Sequence, residues 1–362
     1  MSDDLTDLDG VGPTTADKLA EAGVDTFASL AVLSAGELSS RADIGENTAT
    51  DIIQASREAA DVGQFETAVK MREHRSNIHK ITTLVDEVDD LLGGGIETQS
   101  MTEFYGEFGT GKSQFAHQLA VNVQLPVEEG GTGGSAIFID SEDTFRPERI
   151  DEMVRGLPDE KIDALIAERG LERERQRAAA DGGENTGDRP ESVMDALVES
   201  VLSRIHVAKA FNSNHQILLG EKAEDICTEQ KEKVADGVGQ AAEVGAIIVD
   251  ALTTHFRSEY VGRGELAERQ QKLNKHIHDL IRIGGLHNVA VVIANQVQSN
   301  PDSYFGDPTQ PIGGNILGHA SNFRVYLRQS KGDKRVVRLV DAPNLPDGEA
   351  VVRIKEAGVR PE

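Results

Sequence analysis

The sequence predicts a mostly parallel α/β sheet that carries a phosphate-binding loop, preceded by a small all-α domain. Three observations lead there. From residue 81 onward, apolar runs of four to seven residues alternate with helical stretches, the pattern of strands buried on both faces. Gly106-Glu107-Phe108-Gly109-Thr110-Gly111-Lys112-Ser113 fits the spacing G-x-x-x-x-G-K-[ST] without a mismatch. Residues 1–62 form an acidic, Ala-rich block with 13 acids against three bases and glycine turns between short helical segments.

In chain order, Leu8-Asp9-Gly10-Val11-Gly12-Pro13 reads as a turn leading into a helix over Thr14–Ala22. A weaker echo at residues 43–49 leads into a helix over Asp51–Ala60. A G-x-G turn between short helices resembles the helix-hairpin-helix module, whose backbone N–H groups meet DNA phosphates. The acidity of the block fits equally a helical domain without DNA contact. Residues 63–80 read as a linker holding Phe65-Glu66-Thr67-Ala68. Within 81–362, Met101–Tyr105, Ala136–Asp140, Ala246–Asp250, Val289–Asn295 and Phe323–Arg328 read as strands. Val336–Val340 and Ala350–Ile354 lie too close together for helical crossovers and suggest hairpins. Residues 156–192, with the run Arg173-Glu174-Arg175-Gln176-Arg177, read as a surface insertion, part solvated helix and part loop.

The glycine loop carries the first chemistry. Its glycines turn tightly and aim backbone N–H groups at phosphate oxygens. Lys112 would reach the β- and γ-phosphates and the Ser113 hydroxyl would hold Mg²⁺. The helix that follows, over Gln114–Val123, adds its dipole to the anion site. Three carboxamide or carboxylate strand ends complete the set. Asp250 ends an apolar strand and is placed to support Mg²⁺ through water. Glu142, just past the strand end at Asp140, could deprotonate the attacking water, and Gln296 could sense the γ-phosphate. Each has a plainer reading as a helix-terminal acid or a polar strand end.

Composition sets limits. There are 62 acids against 37 bases, only 14 of them lysine, for a net charge of −25. That balance opposes DNA binding in ordinary buffer. At ~1 M salt, where the Debye length is about 3 Å, the repulsion is screened, so the composition points to a salty cytosol. Two positive islands, 255–282 and 324–338, stand out; a phosphate backbone or the acidic surface could face them. A single cysteine, Cys227, excludes internal disulfides and Cys-based zinc sites. No signal-peptide pattern or membrane-length apolar run is present, which fits a reducing cytoplasm.

These segments together resemble the archaeal RadA recombinases of the RecA family. The resemblance rests on residues 104–109, 138–149, 266–276, Gly306-Asp307-Pro308-Thr309, Pro311-Ile312-Gly313-Gly314 and Asp341-Ala342-Pro343, and it covers nearly the whole chain apart from 156–192. It implies a RecA-like ATPase core and ATP-dependent filament assembly on single-stranded DNA, with pairing and strand exchange against duplex DNA. Lys112 and Ser113 would keep their loop roles, with Glu142 as base, Gln296 as γ-phosphate sensor and Arg149 near the adenine. Phe65 and Ala68 match an F-x-x-A motif that docks on the neighbouring subunit and joins protomers head to tail. Asp307 matches a segment capping ATP across the interface, beside a K⁺ site in relatives. His319 matches a residue linking that interface to the DNA loops. Arg257, Tyr260, Arg263 and Arg269 fall in or beside the first DNA loop, and Gly313 and Gly314 in the second. The second loop, about 297–317, departs from the family pattern in having no Lys or Arg. Two other readings share the core: a recombinase paralogue without strand exchange, and a ring-forming P-loop ATPase that would not need the Phe65 tether.

Overall fold

The computed structural model describes residues 4–60, 65–172, 190–260, 262, 264–299, 309–312 and 315–362. It divides into two compact units, Met1–Asn77 and Ile78–Glu362. The first holds helices α1 (Pro13–Glu21), α2 (Phe27–Ala31), α3 (Ala35–Ala42), α4 (Glu46–Ala59) and α5 (Ala68–His74). Leu19, Leu30, Leu38 and Ile52 are fully buried at its centre. α4 begins five residues earlier than the sequence predicts, because Gly45 serves as its N-cap and Glu46 suits the positive end of the helix dipole.

In the second unit a two-stranded antiparallel pair, β1 (Lys80–Ile81) and β2 (Ile96–Glu97), flanks α6 (Asp86–Leu91). The main sheet then builds from β3 (Met101–Gly106), α7 (Lys112–Asn122), β4 (Ser135–Asp140), α8 (Pro147–Arg155), α9 (Asp159–Glu168), α10 (Glu191–Leu202), β5 (Ile205–Lys209), α11 (Ser213–Ala235) and β6 (Val244–Asp250). It continues through α12 (Thr254–Glu259), α13 (Leu266–His287), β7 (Ala290–Ser299), β8 (Thr309–Pro311), α14 (Asn315–Ala320), β9 (Phe323–Gln329), β10 (Lys334–Asp341), β11 (Gly348–Lys355) and β12 (Gly358–Pro361). The strand order is β12-β11-β10-β9-β3-β7-β6-β4-β5, with β8 pairing β7 from outside this path. From β9 to β5 the pairs are parallel, and β9 through β12 are antiparallel, as their spacing in sequence requires.

Phe115, Ile150, Ile162 and Leu197 belong to one apolar cluster against the sheet; Ala223, Phe256, Ile277 and Leu317 belong to the other. Here the expectation of a solvated insertion at 156–192 needs correction. Leu157, Ile162, Leu165, Ile166 and Leu171 are buried in the first cluster, and Val193 and Met194 follow them. Ile162, Leu165 and Ile166 fall at helical spacing on one face of α9, so this is core helix; the charged run begins only afterwards. Residues 173–189 lie outside the described residues. None of the described helices is long and apolar enough to cross a membrane.

Candidate nucleotide site

β3 sits between β7 and β9, and every one of its residues is buried. Its last residue, Gly106, comes so close to the Leu327 carbonyl that an added Cβ would lie 2.2 Å from that oxygen. The chain therefore turns out of the sheet there without a side chain, and the loop runs to Gly111, whose φ of 104° favours glycine. α7 starts at once, with Lys112 and Ser113 in its first turn. Lys112 is buried, and its ammonium donates to the carbonyls of Gly106 (3.0 Å) and Glu107 (2.8 Å). Burial pulls its pKa down, while Asp250 and Glu142 oppose that.

Strand register delivers the remaining groups. Gly106 pairs with Gln296 across β3 and β7, and Asp140 pairs with Asp250 across β4 and β6. Gln296 Nε2 donates to Glu142 Oε1 at 2.6 Å, and the Thr254 hydroxyl donates to the same oxygen at 2.7 Å. Asp250 accepts from Thr144 Oγ1 at 3.2 Å and lies beside the Ser113 hydroxyl. Burial pushes its carboxyl up to about 6, reinforced by the nearby Glu142 and Asp140 charges and opposed by the two hydroxyls. A hydroxyl and a buried carboxylate are hard oxygen donors of the kind Mg²⁺ takes, so the residues present fit that ion.

Lys112, Ser113, Glu142 and Gln296 line an open cleft of about 520 Å³. Phe108, Gly109, Gly111, Gln114, Thr144 and Arg149 line it too. Arg149 Nε donates to Gln114 Oε1 (2.8 Å), and its Nη2 to the Lys355 carbonyl (2.6 Å). Four lining residues from the C-terminal hairpins escaped the sequence reading: Arg335, Ile354, Lys355 and Glu356. Arg335 Nε donates to the Gly109 carbonyl at 3.1 Å, and Ile354 stands over Gly111. Thr254 escaped it as well. Only the basic island at 324–338 gave any signal, for Arg335.

The positive islands divide on inspection. In 255–282, Arg282 makes two hydrogen bonds to Glu224 at 2.6 and 2.7 Å, Lys272 meets Glu268 and the Tyr260 hydroxyl, and Lys275 meets Glu221. Those three follow the charge-pairing reading; Arg257 is exposed and Arg269 half-exposed. In 324–338, Arg324 pairs with the buried Glu103, while Arg328 and Arg338 share the exposed Glu349. Phe65 is wholly exposed, and Ala68 and His319 are exposed. Arg263, Asp307, Gly313 and Gly314 lie outside the described residues.

Comparison with known proteins accords with this layout. The family model described as Rad51 matches residues 74–181 and 193–362, and one described as a SAM-like helix-hairpin-helix tandem matches residues 2–58. Proteins named DNA repair and recombination protein RadA are similar along the full length. Those of Haloferax volcanii and Haloquadratum walsbyi are each 62% identical over 360 residues, covering 99% of both chains. That of Halobacterium salinarum is 61% identical over 359 residues, with the same coverage. The glycine loop on β3, the paired strand ends and the hairpins that close the cleft all fall within the matched segments, and the chain belongs to the Rad51 family.

Proposed function

We infer that this chain is a DNA-dependent ATPase that assembles as a helical filament on single-stranded DNA and carries out homologous pairing and strand exchange. The observation that carries it is the Glu142–Gln296 hydrogen bond beside the phosphate-binding loop. It holds side by side the two residues we assign as base and phosphate sensor, Gln296 lying on the strand that runs on toward the second candidate DNA loop.

In the mechanism we assign, the loop amides and Lys112 hold the β- and γ-phosphates. Ser113, and Asp250 through water, would hold Mg²⁺, which when bound would supply neutralisation of phosphate charge. Glu142 orients a water and takes its proton as the water oxygen attacks the γ-phosphorus. The bond from that phosphorus to the β–γ bridging oxygen breaks, its electron pair stays on that oxygen, and ADP and phosphate result. Gln296 turns its amide to the γ-phosphate, and Arg149 faces the adenine.

The exposed Phe65 ring and Ala68 would dock on a second copy, giving a head-to-tail assembly that does not close. Arg257, Tyr260, Arg263 and Arg269, with the backbone at Gly313 and Gly314, would contact DNA, and His319 would relay between the loops and the interface. Asp307 would cap ATP from the adjacent protomer, beside K⁺. The test is ATP hydrolysis with and without single-stranded DNA, from low to multimolar KCl. Strong stimulation that persists at high salt supports this function. Hydrolysis indifferent to DNA at every salt would shift the reading to a paralogue or ring ATPase.

A further inference from the structure

Glu142 is held unequally. Its Oε1 accepts two hydrogen bonds, from Gln296 Nε2 at 2.6 Å and from Thr254 Oγ1 at 2.7 Å. Gln296 stands near the end of β7, on the chain that runs on toward the second candidate DNA loop. Thr254 is the first residue of α12, the short helix that carries Arg257 and runs into Tyr260. Both donors thus sit on segments leading toward DNA, and both spend their protons on one carboxylate oxygen.

α12 is firmly seated. Phe256 is buried in the core beneath it, and Thr253 Oγ1 donates to the buried Asn295 Oδ1 at 2.7 Å, one residue before Gln296. The His255 ring meets the Ala210 carbonyl at 3.0 Å, and Glu259 accepts from the Ser213 backbone at 2.8 Å. A hydroxyl at position 254 therefore cannot drift from Glu142 without moving the helix.

We propose that Thr254 is a positioning residue for ATP hydrolysis: its hydroxyl fixes Oε1 of Glu142 so that Oε2 faces the attacking water, and it ties the placement of α12 on DNA to the base. This rests on Glu142 being the base, as assigned above. The need for a second donor follows from Gln296. An amide that turns to the γ-phosphate releases its hold on the carboxylate, and a glutamate left with free rotamers spends little time in the reactive geometry. The Thr254 hydroxyl keeps that hold through the turn.

The test uses the full chain with saturating ATP, Mg²⁺ and a poly-dT oligonucleotide, comparing Thr254→Val, Thr254→Ser and Glu142→Gln with the parent. Val keeps the shape and removes the donor. Thr254→Val should lower the DNA-stimulated kcat roughly tenfold with KM for ATP, DNA affinity and melting temperature unchanged. Thr254→Ser should recover most of the rate, and Glu142→Gln should abolish it. Thr254→Ala serves if the valine variant does not fold. A parental rate in Thr254→Val while Glu142→Gln is inactive overturns the proposal and leaves the base assignment standing. Full activity in Glu142→Gln overturns both. A loss in Thr254→Val that serine does not rescue, or that appears in KM or melting temperature, marks a packing role and also overturns it.

Discussion

The Glu103 carboxylate, wholly buried in the central strand, accepts a hydrogen bond from Arg324 Nε on the neighbouring strand at 3.0 Å. Its other oxygen accepts from Asn295 Nδ2 at 2.8 Å, and Asn295 in turn donates to the Ile312 carbonyl at 2.6 Å. Arg324 also lies over the Tyr105 ring, 5.3 Å from its centroid. Arg324→Met leaves the Glu103 charge buried and unpaired and should cost about 3–5 kcal/mol, read as a lower denaturation midpoint in high salt. Glu103→Gln leaves an Arg324 that water partly reaches and should cost less. The double variant should cost less than the sum of the singles.

Lys112→Ala removes the only ammonium in the loop. Hydrolysis should fall by at least about 100-fold, the scale of losing one preorganised charge contact to a transition state. Circular dichroism should be unchanged, since the amine bonds only loop carbonyls. Activity near the parental level would remove the nucleotide assignment.

Phe65→Ala should shift light-scattering mass from long assemblies to monomers or short oligomers. The ring is exposed, so the variant should melt at the parental temperature. Undiminished assemblies would show that protomers are joined elsewhere.

His276 gives the pH dependence. Its side chain is buried, both ring nitrogens lack a hydrogen-bond partner, and burial lowers its pKa to about 4 from the ordinary 6.5. The unfolded chain therefore binds the proton more readily than the folded one. The stability contributed by the neutral ring is full above pH 6.5 and is lost as pH falls toward 4. Denaturant melts at pH 7.5 and 5.0 should show a smaller drop for His276→Leu than for the parent. An equal drop would assign the acid sensitivity to other groups, such as His117, whose pKa burial also lowers.

Much of the site was legible because its chemistry sits at strand ends that follow apolar runs. Gly106–Ser113, Asp250 and Gln296 each announce themselves by a residue type at the end of such a run. Arg335, Ile354 and Thr254 do not, because their place beside the loop depends on pairings and helix seating fixed only by the tertiary fold. α9 was misread for a different reason. Its three core residues are outnumbered by the charged run that follows, and composition averaged over a window hides a narrow apolar stripe. α7 shows the same limit in reverse: Gln118 and Asn122 are polar yet fully buried, satisfied by the Val359 backbone N–H and the Thr82 carbonyl.

The position of β3 bears on how the protein is made. Its hydrogen-bonding neighbours are β7, beginning at Ala290, and β9, beginning at Phe323, so both of its edges stay unsatisfied until most of the chain has left the ribosome. During synthesis a strand destined for full burial and ending in a glycine loop waits without partners, a state prone to mispairing. Early release of the nascent chain would therefore be expected to yield aggregates before any intermediate able to hold nucleotide.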